Sequence, residues 1–351
     1  MTRNLAVIRC MTKSKCGFGH LRRSLLLAKE LRKKKYYVFF IIDSNSNAKK
    51  LLVENKFSFF ELKKNLSLKQ EYVSISNILS KSTFSFIILD ARERNEQLSK
   101  FLIEKSIFTI VIDDAWCKYA YAHIMFNPTI VKQFHNYELT KNNMKIYVGP
   151  EYFITDKNFV KSQKNQSSII QKKNYIITIS MGGSDVENLA YKFTKSLISM
   201  PNVFIQIILG PFTFLDVKFE KLIADQNNIS IIKSPQKIWN IFKKSDIVIS
   251  NAGSTLYELF IQKVPAIYCA VETHQIPYAE NFKKLRFGYY LGFKNEIDYK
   301  KVPSLLNDIL LEPSTRKKMI QIKNVYFNGL GAQKISDLIL NQRKIYLKRI
   351  S

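Results

Sequence analysis

The segment Gly17-Phe18-Gly19-His20-Leu21-Arg22-Arg23-Ser24 sets an imidazole and two guanidinium groups beside a glycine turn. It follows a short apolar run, Leu5 to Ile8, and opens a helical pattern through Leu25, Leu26, Ala28 and Leu31. A strand, a glycine turn and a helix start are the parts of an anion site. Glycine lets the backbone approach, and the first helical N–H groups point at the ligand. An imidazole in that place can also move a proton near neutral pH. Cations at a helix N-terminus oppose the macrodipole, so the pattern predicts an anionic ligand or a proton-transfer role that offsets them. The segment is not a dinucleotide fingerprint, since a third glycine is missing, nor a Walker A loop, since no Gly-Lys-Ser/Thr follows. Taken alone it also fits a plain strand-to-helix turn capped by His20.

Two later turns repeat the logic. Ile179-Ser180-Met181-Gly182-Gly183-Ser184-Asp185 comes straight after an apolar run and before a helical pattern. Gly182 and Gly183 would let a phosphate lie against backbone N–H groups, with Ser184 or Asp185 capping the helix. Ser250-Asn251-Ala252-Gly253-Ser254-Thr255-Leu256-Tyr257-Glu258 offers a further glycine, two hydroxyls and a carboxylate one turn into the helix, suited to two vicinal ribose hydroxyls. His274-Gln275 and Ala279-Glu280-Asn281 could line the same pocket. Asp43, Asp90, Asp113 and Asp114 each follow an apolar run, where active-site carboxylates lie in α/β sheets and where helix caps also lie. His123, inside an apolar run, reads as a core histidine. No metal-ligand spacing and no Gly-x-Ser-x-Gly elbow is present.

The elements that must position these residues are legible as apolar runs. Leu5–Cys10, Tyr37–Ile42, Phe57–Phe60, Phe84–Leu89, Phe108–Ile112 and His123–Phe126 form a first series. Tyr175–Ser180, Val203–Leu209, Ile229–Ile232, Ile247–Ser250 and Ala266–Cys269 form a second. They are nearly continuously apolar, as strands covered on both faces are, and helical patterns lie between them. The expectation is an α/β chain of two Rossmann-like, doubly wound domains facing across a cleft. Residues 1–155 would be the first domain, the polar stretch 156–173 a linker, and 174–351 the second domain with C-terminal helices. A chain of 351 residues with 46% hydrophobic content can bury two such cores.

Composition narrows the function classes. The four cysteines (Cys10, Cys16, Cys117 and Cys269) form no Cys-x-x-Cys pair, which predicts a reduced, cytoplasmic setting. No signal peptide is recognisable and no apolar run approaches the roughly 18 residues of a membrane span, so a soluble protein is expected. The net charge is +27, with 55 Lys and Arg against 28 Asp and Glu. The excess is mostly Lys in a chain rich in Asn and Ile and poor in Gly, which reads first as a solvated surface typical of an AT-rich genome. Peripheral contact with an anionic membrane or with an anionic substrate is the second reading. Nucleic acid is not expected, because no stripe of Arg interleaved with aromatics occurs.

Together the blocks resemble the PseG family, the UDP-sugar hydrolases of pseudaminic acid biosynthesis, relatives of the MurG-type glycosyltransferases of GT-B fold. Gly17-Phe18-Gly19-His20-Leu21-Arg22-Arg23 is similar to the family's GxGHxxR. Val111-Ile112-Asp113-Asp114 with Asn127-Pro128 resembles its VIDD…NP block. Met181-Gly182-Gly183-Ser184-Asp185 resembles its GGSD loop, and Ala252-Gly253-Ser254-Thr255-Leu256-Tyr257-Glu258 its GGSTxxE motif. The chain departs at Ala252, where the family has glycine, and at Asp90-Ala91-Arg92, where it has Asp-x-Tyr. The second departure leaves the sugar open.

The resemblance implies His20 as catalytic base, with Gly17, Gly19, Arg23, Asp90 and Asn281 at the sugar or phosphate. It further implies Gly182, Gly183, Ser184, Gly253, Ser254 and Thr255 at the diphosphate and Glu258 at the ribose. UDP would lie on the second domain, its pyrophosphate against two helix N-termini, with the sugar crossing the cleft to His20. The implied activity is hydrolysis of a UDP-linked sugar, an EC 3.6.1-type reaction without metal or other cofactor, in pseudaminic acid or related surface-glycan synthesis. Two rivals stand beside it: a GT-B glycosyltransferase using the same donor, and a basic membrane- or nucleic-acid-binding protein with a degenerate site. The residues do not specify an oligomeric state.

Overall fold

The computed structural model describes residues 4–13, 19–81, 83–91, 95–113, 121–135, 144–211, 213–321 and 327–350. The chain divides into two compact units, Met1–Thr155 with Tyr326–Ser351, and Asp156–Val325.

The first unit holds strands β1 (Leu5–Cys10), β2 (Tyr37–Ile42), β3 (Ser58–Glu61), β4 (Phe86–Asp90), β5 (Thr109–Ile112), β6 (Ile124–Asn127) and β7 (Lys145–Val148). Between them run α1 (Gly19–Lys33), α2 (Ser46–Glu54), α3 (Leu68–Leu79) and α4 (Glu96–Glu104). The strands pair in parallel in the order β3-β2-β1-β4-β5-β6-β7. The run of Val, Ile and Phe in β1, β2 and β4 is explained by helices on both faces, since such strands bury side chains in both directions. Val7, Ile41 and Ile87 meet Leu98 and Leu102 of α4 and Ile75 and Leu79 of α3 in one core cluster. Local chemistry sets the helix starts. Asn45 accepts from Ala48 N, and Ser67 with Gln70 closes a capping box at α3.

The second unit holds β8 (Tyr175–Ser180), β9 (Val203–Leu209), β10 (Ile229–Lys233), β11 (Ile247–Asn251), β12 (Ala266–Ala270) and β13 (Tyr289–Phe293). Its helices are α5 (Lys157–Lys161), α6 (Leu189–Leu197), α7 (Val217–Ile223), α8 (Ile238–Lys244), α9 (Ser254–Gln262), α10 (Ile276–Lys284), α11 (Val302–Leu311) and α12 (Pro313–Lys318). The strands are again parallel, in the order β10-β9-β8-β11-β12-β13. In both sheets the chain runs outward one way and then returns to the other side of its first strand. The switch point lies between β1 and β4 in the first sheet and between β8 and β11 in the second, and ligands bind outside the carboxyl ends of strands at such points.

The doubly wound α/β architecture agrees with the apolar runs, and three features differ from expectation. The edge strands β7 and β13 are additional. They begin with Lys145 or contain Gly292 and are only half-buried, so they lack the continuous apolar signature of central strands. The last helix, α13 (Gly331–Ile350), groups with the first unit rather than the second. It packs on α1, burying Ile335 and Ile339, while Arg343 Nε donates to Ser85 O at 2.8 Å and Tyr346 meets the rings of Phe108 and His123. His123 is thereby part of that packing, its Nδ1 accepting from Thr109 N.

The stretch 156–173, expected as a linker, is packed structure of the second unit. Phe159 of α5 is buried, and Gln163 Nε2 donates to Ile261 O at 2.8 Å. Lys164 is buried, with its Nζ on Ser245 O. Burial pushes the Lys164 amine down to about 8, Asp246 opposing and Lys172 and Arg316 adding to the fall. The unfolded chain therefore binds a proton that the folded chain resists. Stability must rise with pH between about 8 and the ordinary lysine range, the penalty being fully present below pH 8. Thermal melts of wild type and Lys164→Met from pH 7 to pH 10 should show this rise in wild type and a flatter curve in the variant. Parallel curves would remove Lys164 as its source.

Candidate active site

Asp90 closes β4 at the switch point of the first sheet, and its side chain is wholly buried. Its backbone carbonyl accepts from Met11 N at 3.0 Å, fixing it against the end of β1. The first turn of α1 arrives above it. Positions three and four apart share a helix face, so His20, Arg23 and Ser24 all turn toward Asp90. His20 Nδ1 lies 2.7 Å from Oδ1, and Ser24 Oγ donates to Oδ2 at 2.8 Å. Arg23 Nε donates to Oδ2 at 2.9 Å and to Oδ1 at 3.1 Å, while its Nη2 also bonds Oδ1. Burial alone would raise the Asp90 carboxyl; the Arg23 guanidinium and the neighbouring His20 outweigh it and hold the group well below the ordinary carboxylate range.

This constellation answers the charge conflict in the sequence. The anion that offsets the cations at the α1 N-terminus is an internal one, Asp90. Asp90 therefore leaves the set of expected ligand contacts, since no solvent-facing surface remains on it. Arg23, expected at sugar or phosphate, gives Nε and Nη2 to Asp90. Arg22 is exposed in the same turn and has no hydrogen-bond partner among the described residues. Gly19 is the first residue of α1, and an added Cβ there would meet nothing within 4 Å. Gly17 lies outside the described residues, as does Asp114. Asp43 is structural: it accepts from Arg9 Nη2 at 2.7 Å and from Thr12 N at 2.8 Å, which anchors the start of the β1–α1 connection.

In the second unit the expected glycine turns lie at the carboxyl ends of β8 and β11, one on each side of the switch point. Asn251 joins them. Its Nδ2 donates to Met181 O at 3.1 Å, and a Cβ on Gly182 (φ +87°) or Gly253 would press on its amide at 3.2 and 3.3 Å. Gly210, at the end of β9, completes the set: a Cβ there would stand 2.3 Å from Gly182 O and 2.5 Å from Gly183 O. Gly182, Gly183 and Ser184 are half-buried, and Ser254 is exposed at the first position of α9.

The two helix starts differ. Asp185 takes the amides of Leu189 and Ala190 at 2.9 and 2.7 Å, so the α6 N-terminus is occupied by a side chain. α9 has Gly253 as its N-cap and no side-chain cap bond, and Thr255 is buried behind Ser254. The expectation of two open helix ends is thus corrected to one. Glu258 lies half-buried one turn into α9. Asn281 sits on α10 with its Nδ2 on Pro277 O at 2.8 Å, and among the described residues no contact ties it to the loops after β8 or β11. His274 pairs with Glu272 at 2.9 Å, and Gln275 accepts from Val271 N, so both serve the turn that follows β12. Among the described residues no group of three or more His, Cys, Asp and Glu is placed to hold a metal ion, and no helix is long and apolar enough to cross a membrane.

Sequence reasoning passed over Ser24, Gly210 and Asn251. Gly210-Pro211 after an apolar run was the signal for the second, and Asn251 between a strand and a glycine was the signal for the third.

Residues 180–339 match the glycosyltransferase family 28 C-terminal domain. Over 260 residues the chain is 27% identical to an uncharacterized protein of Methanocaldococcus jannaschii, covering 72% of this chain and 52% of that protein; it spans about half of that relative's length. Over 262 residues it is 23% identical to the UDP-2,4-diacetamido-2,4,6-trideoxy-β-L-altropyranose hydrolase of Campylobacter jejuni, covering 73% of this chain and 88% of that one. Among solved structures, MurG of Acinetobacter baumannii matches with a TM-score of 0.68 at 14% identity, over 97% of this chain and 99% of that chain. The two parallel-sheet units have the GT-B fold.

The crowding at Gly210 has a direct test. Gly210→Ala should lower the unfolding free energy by about 1–3 kcal/mol, since its methyl group overlaps two backbone carbonyls, whereas Gly19→Ala should stay within about 0.5 kcal/mol. Denaturant titration measures both, and equal effects would show that Gly210 does not relieve the contact.

Proposed function

We propose that the chain is a nucleotide-sugar hydrolase that releases UDP from a UDP-linked diacetamido-trideoxy sugar or a close relative. The observation that carries the reading is the imidazole of His20, itself buried with only 4% of its surface exposed, and held by a buried carboxylate at the carboxyl end of the first sheet. His20 takes a proton from water as the water oxygen forms a bond to C1 of the sugar. The bond between C1 and the diphosphate oxygen breaks, its electron pair leaves with UDP, and the free sugar remains. The uncapped α9 N-terminus, with Gly253, Ser254 and Thr255, and the turn at Gly182, Gly183 and Ser184 hold the diphosphate. Its growing charge is stabilised there by N–H groups and the helix dipole. Glu258 accepts from the ribose hydroxyls. Support comes from the likeness to the Campylobacter jejuni hydrolase over most of both chains.

A glycosyltransferase is the second reading, favoured by the family 28 match at residues 180–339. It needs the same nucleotide grip and the same base, with an acceptor hydroxyl in place of water. The +27 charge favours peripheral association with anionic membrane alongside either reaction.

The test is a panel of UDP-sugars that includes UDP-2,4-diacetamido-2,4,6-trideoxy-β-L-altropyranose, incubated without any acceptor and followed by NMR. Free UDP and free sugar in equal amounts are expected. Nucleotide release that waits for an added acceptor would transfer the assignment to the second reading. His20→Ala should slow release by about 10²–10⁴-fold, the scale of losing a general base. Turnover equal to wild type would take His20 out of the reaction.

A further inference from the structure

We infer that Asp90, clamped by Arg23 and Ser24, is a positioning residue that holds His20 in a single tautomer, with the proton on Nδ1 and the lone pair on Nε2. Nδ1 and Oδ1 are 2.7 Å apart, and an unprotonated ring nitrogen facing a carboxylate oxygen at that range would set two lone pairs against each other. A proton therefore lies between them. Arg23 Nη2 is also 2.9 Å from Nδ1, which raises the opposite assignment, an Arg23 N–H donated to an unprotonated Nδ1. Nη2 carries two N–H groups, so its bond to Oδ1 leaves a second donor available, and the decision rests on the carboxylate. The opposite assignment would leave the imidazole lone pair and the carboxylate in repulsive contact inside a buried site, where screening by water is weak.

The clamp explains why Asp90 orients rather than reacts. Four hydrogen bonds from Arg23 and Ser24 fall on its two oxygens, in addition to the one from His20. The strand end fixes its backbone through Met11 N. The carboxylate can neither rotate nor readily take up a proton itself. Beside it the Cys10 thiol is pushed upward, first by burial and then by Asp90, so it stays a neutral neighbour. Among the described residues no group bonds Nε2, which is left as the basic atom. Once Nε2 accepts a proton, the imidazolium faces the negative charge of Asp90 across the Nδ1 bond, the arrangement that stabilises the base in its second state.

The catalytic consequence rests on the hydrolase reading; the tautomer does not. Histidine labelled with ¹⁵N gives a simple spectrum, since the chain has only 4 His, and His20→Ala assigns the ring by difference. The wild-type spectrum should show a protonated Nδ1 and an unprotonated Nε2 for His20. Asp90→Asn should move the proton toward Nε2 and lower kcat by about 10²–10⁴-fold, with KM within about threefold, on the best substrate of the UDP-sugar panel. Ser24→Ala, which keeps the charge pair, should leave the tautomer and reduce kcat by less than about tenfold. A wild-type His20 protonated on Nε2 overturns the inference whether or not Asp90→Asn folds. So does an Asp90→Asn protein with unchanged tautomer and kcat. A wild type that turns over no panel member overturns the hydrolase reading, while the spectrum still decides the tautomer.

Discussion

One buried negative charge organises the first unit's site. Asp90 sits at the end of a central strand with no access to water, where a lone carboxylate would be prohibitively unfavourable. It is stable there because the first turn of α1 brings a guanidinium, a hydroxyl and an imidazole to it at once. The dependence runs both ways. Arg23 near a helix N-terminus would be repelled by the macrodipole without an anion beneath it, and His20 would have no fixed ring orientation. The site is thus assembled by mutual charge satisfaction between a strand end and a helix start. The sheet order that makes β1 and β4 neighbours is what allows it.

The second unit reaches a similar place by close backbone approach instead of charge. Two strand ends meet at Asn251, where a side chain at 182 or 253 would crowd its amide, and the end of β9 adds Gly210, where a side chain would press on the carbonyls of Gly182 and Gly183. Gly182 carries the further requirement of a positive φ. The result is a surface of backbone groups with few side chains in the way, which suits a ligand whose recognition depends on N–H donors more than on shape.

Much of this was legible in the sequence. The apolar runs located the central strands to within two residues, because strands buried on both faces leave no polar alternation to misread. His20 and the two later turns stood out because glycine and polar residues right after an apolar run have few other uses. What the sequence hid follows from its one-dimensional nature. Asp90 looked like one of several strand-end aspartates. Only the pairing of β1 with β4 distinguishes it from Asp43, which does structural duty with Arg9. Gly331 lies in Gly329-Leu330-Gly331, which reads as the break between two C-terminal helices of the second domain. In the fold it meets Phe153 O so closely that a Cβ would stand 2.2 Å away, a contact across about half the chain length that no local pattern records. The polar stretch 156–173 misled for a related reason: its lysines read as solvated, yet Lys164 and Lys172 find buried partners in Ser245 and Asp246.

The distribution of helix dipoles bears on where an external anion belongs. Three helix starts stand at the switch points of the two sheets: α1, α6 and α9. At α6 Asp185 takes the first amides, so that end already has its counter-charge, while at α1 Asp90 is engaged by the side chains of His20, Arg23 and Ser24. α9 has neither a carboxylate nor a hydroxyl cap among the described residues, and its N-cap is Gly253. A diphosphate brought to the second unit would find the α6 end electrostatically answered and the α9 end still unmet. On the hydrolase reading proposed above, the nucleotide grip would centre on Gly253, Ser254 and Thr255, with the Gly182–Ser184 turn contributing backbone groups rather than a second dipole.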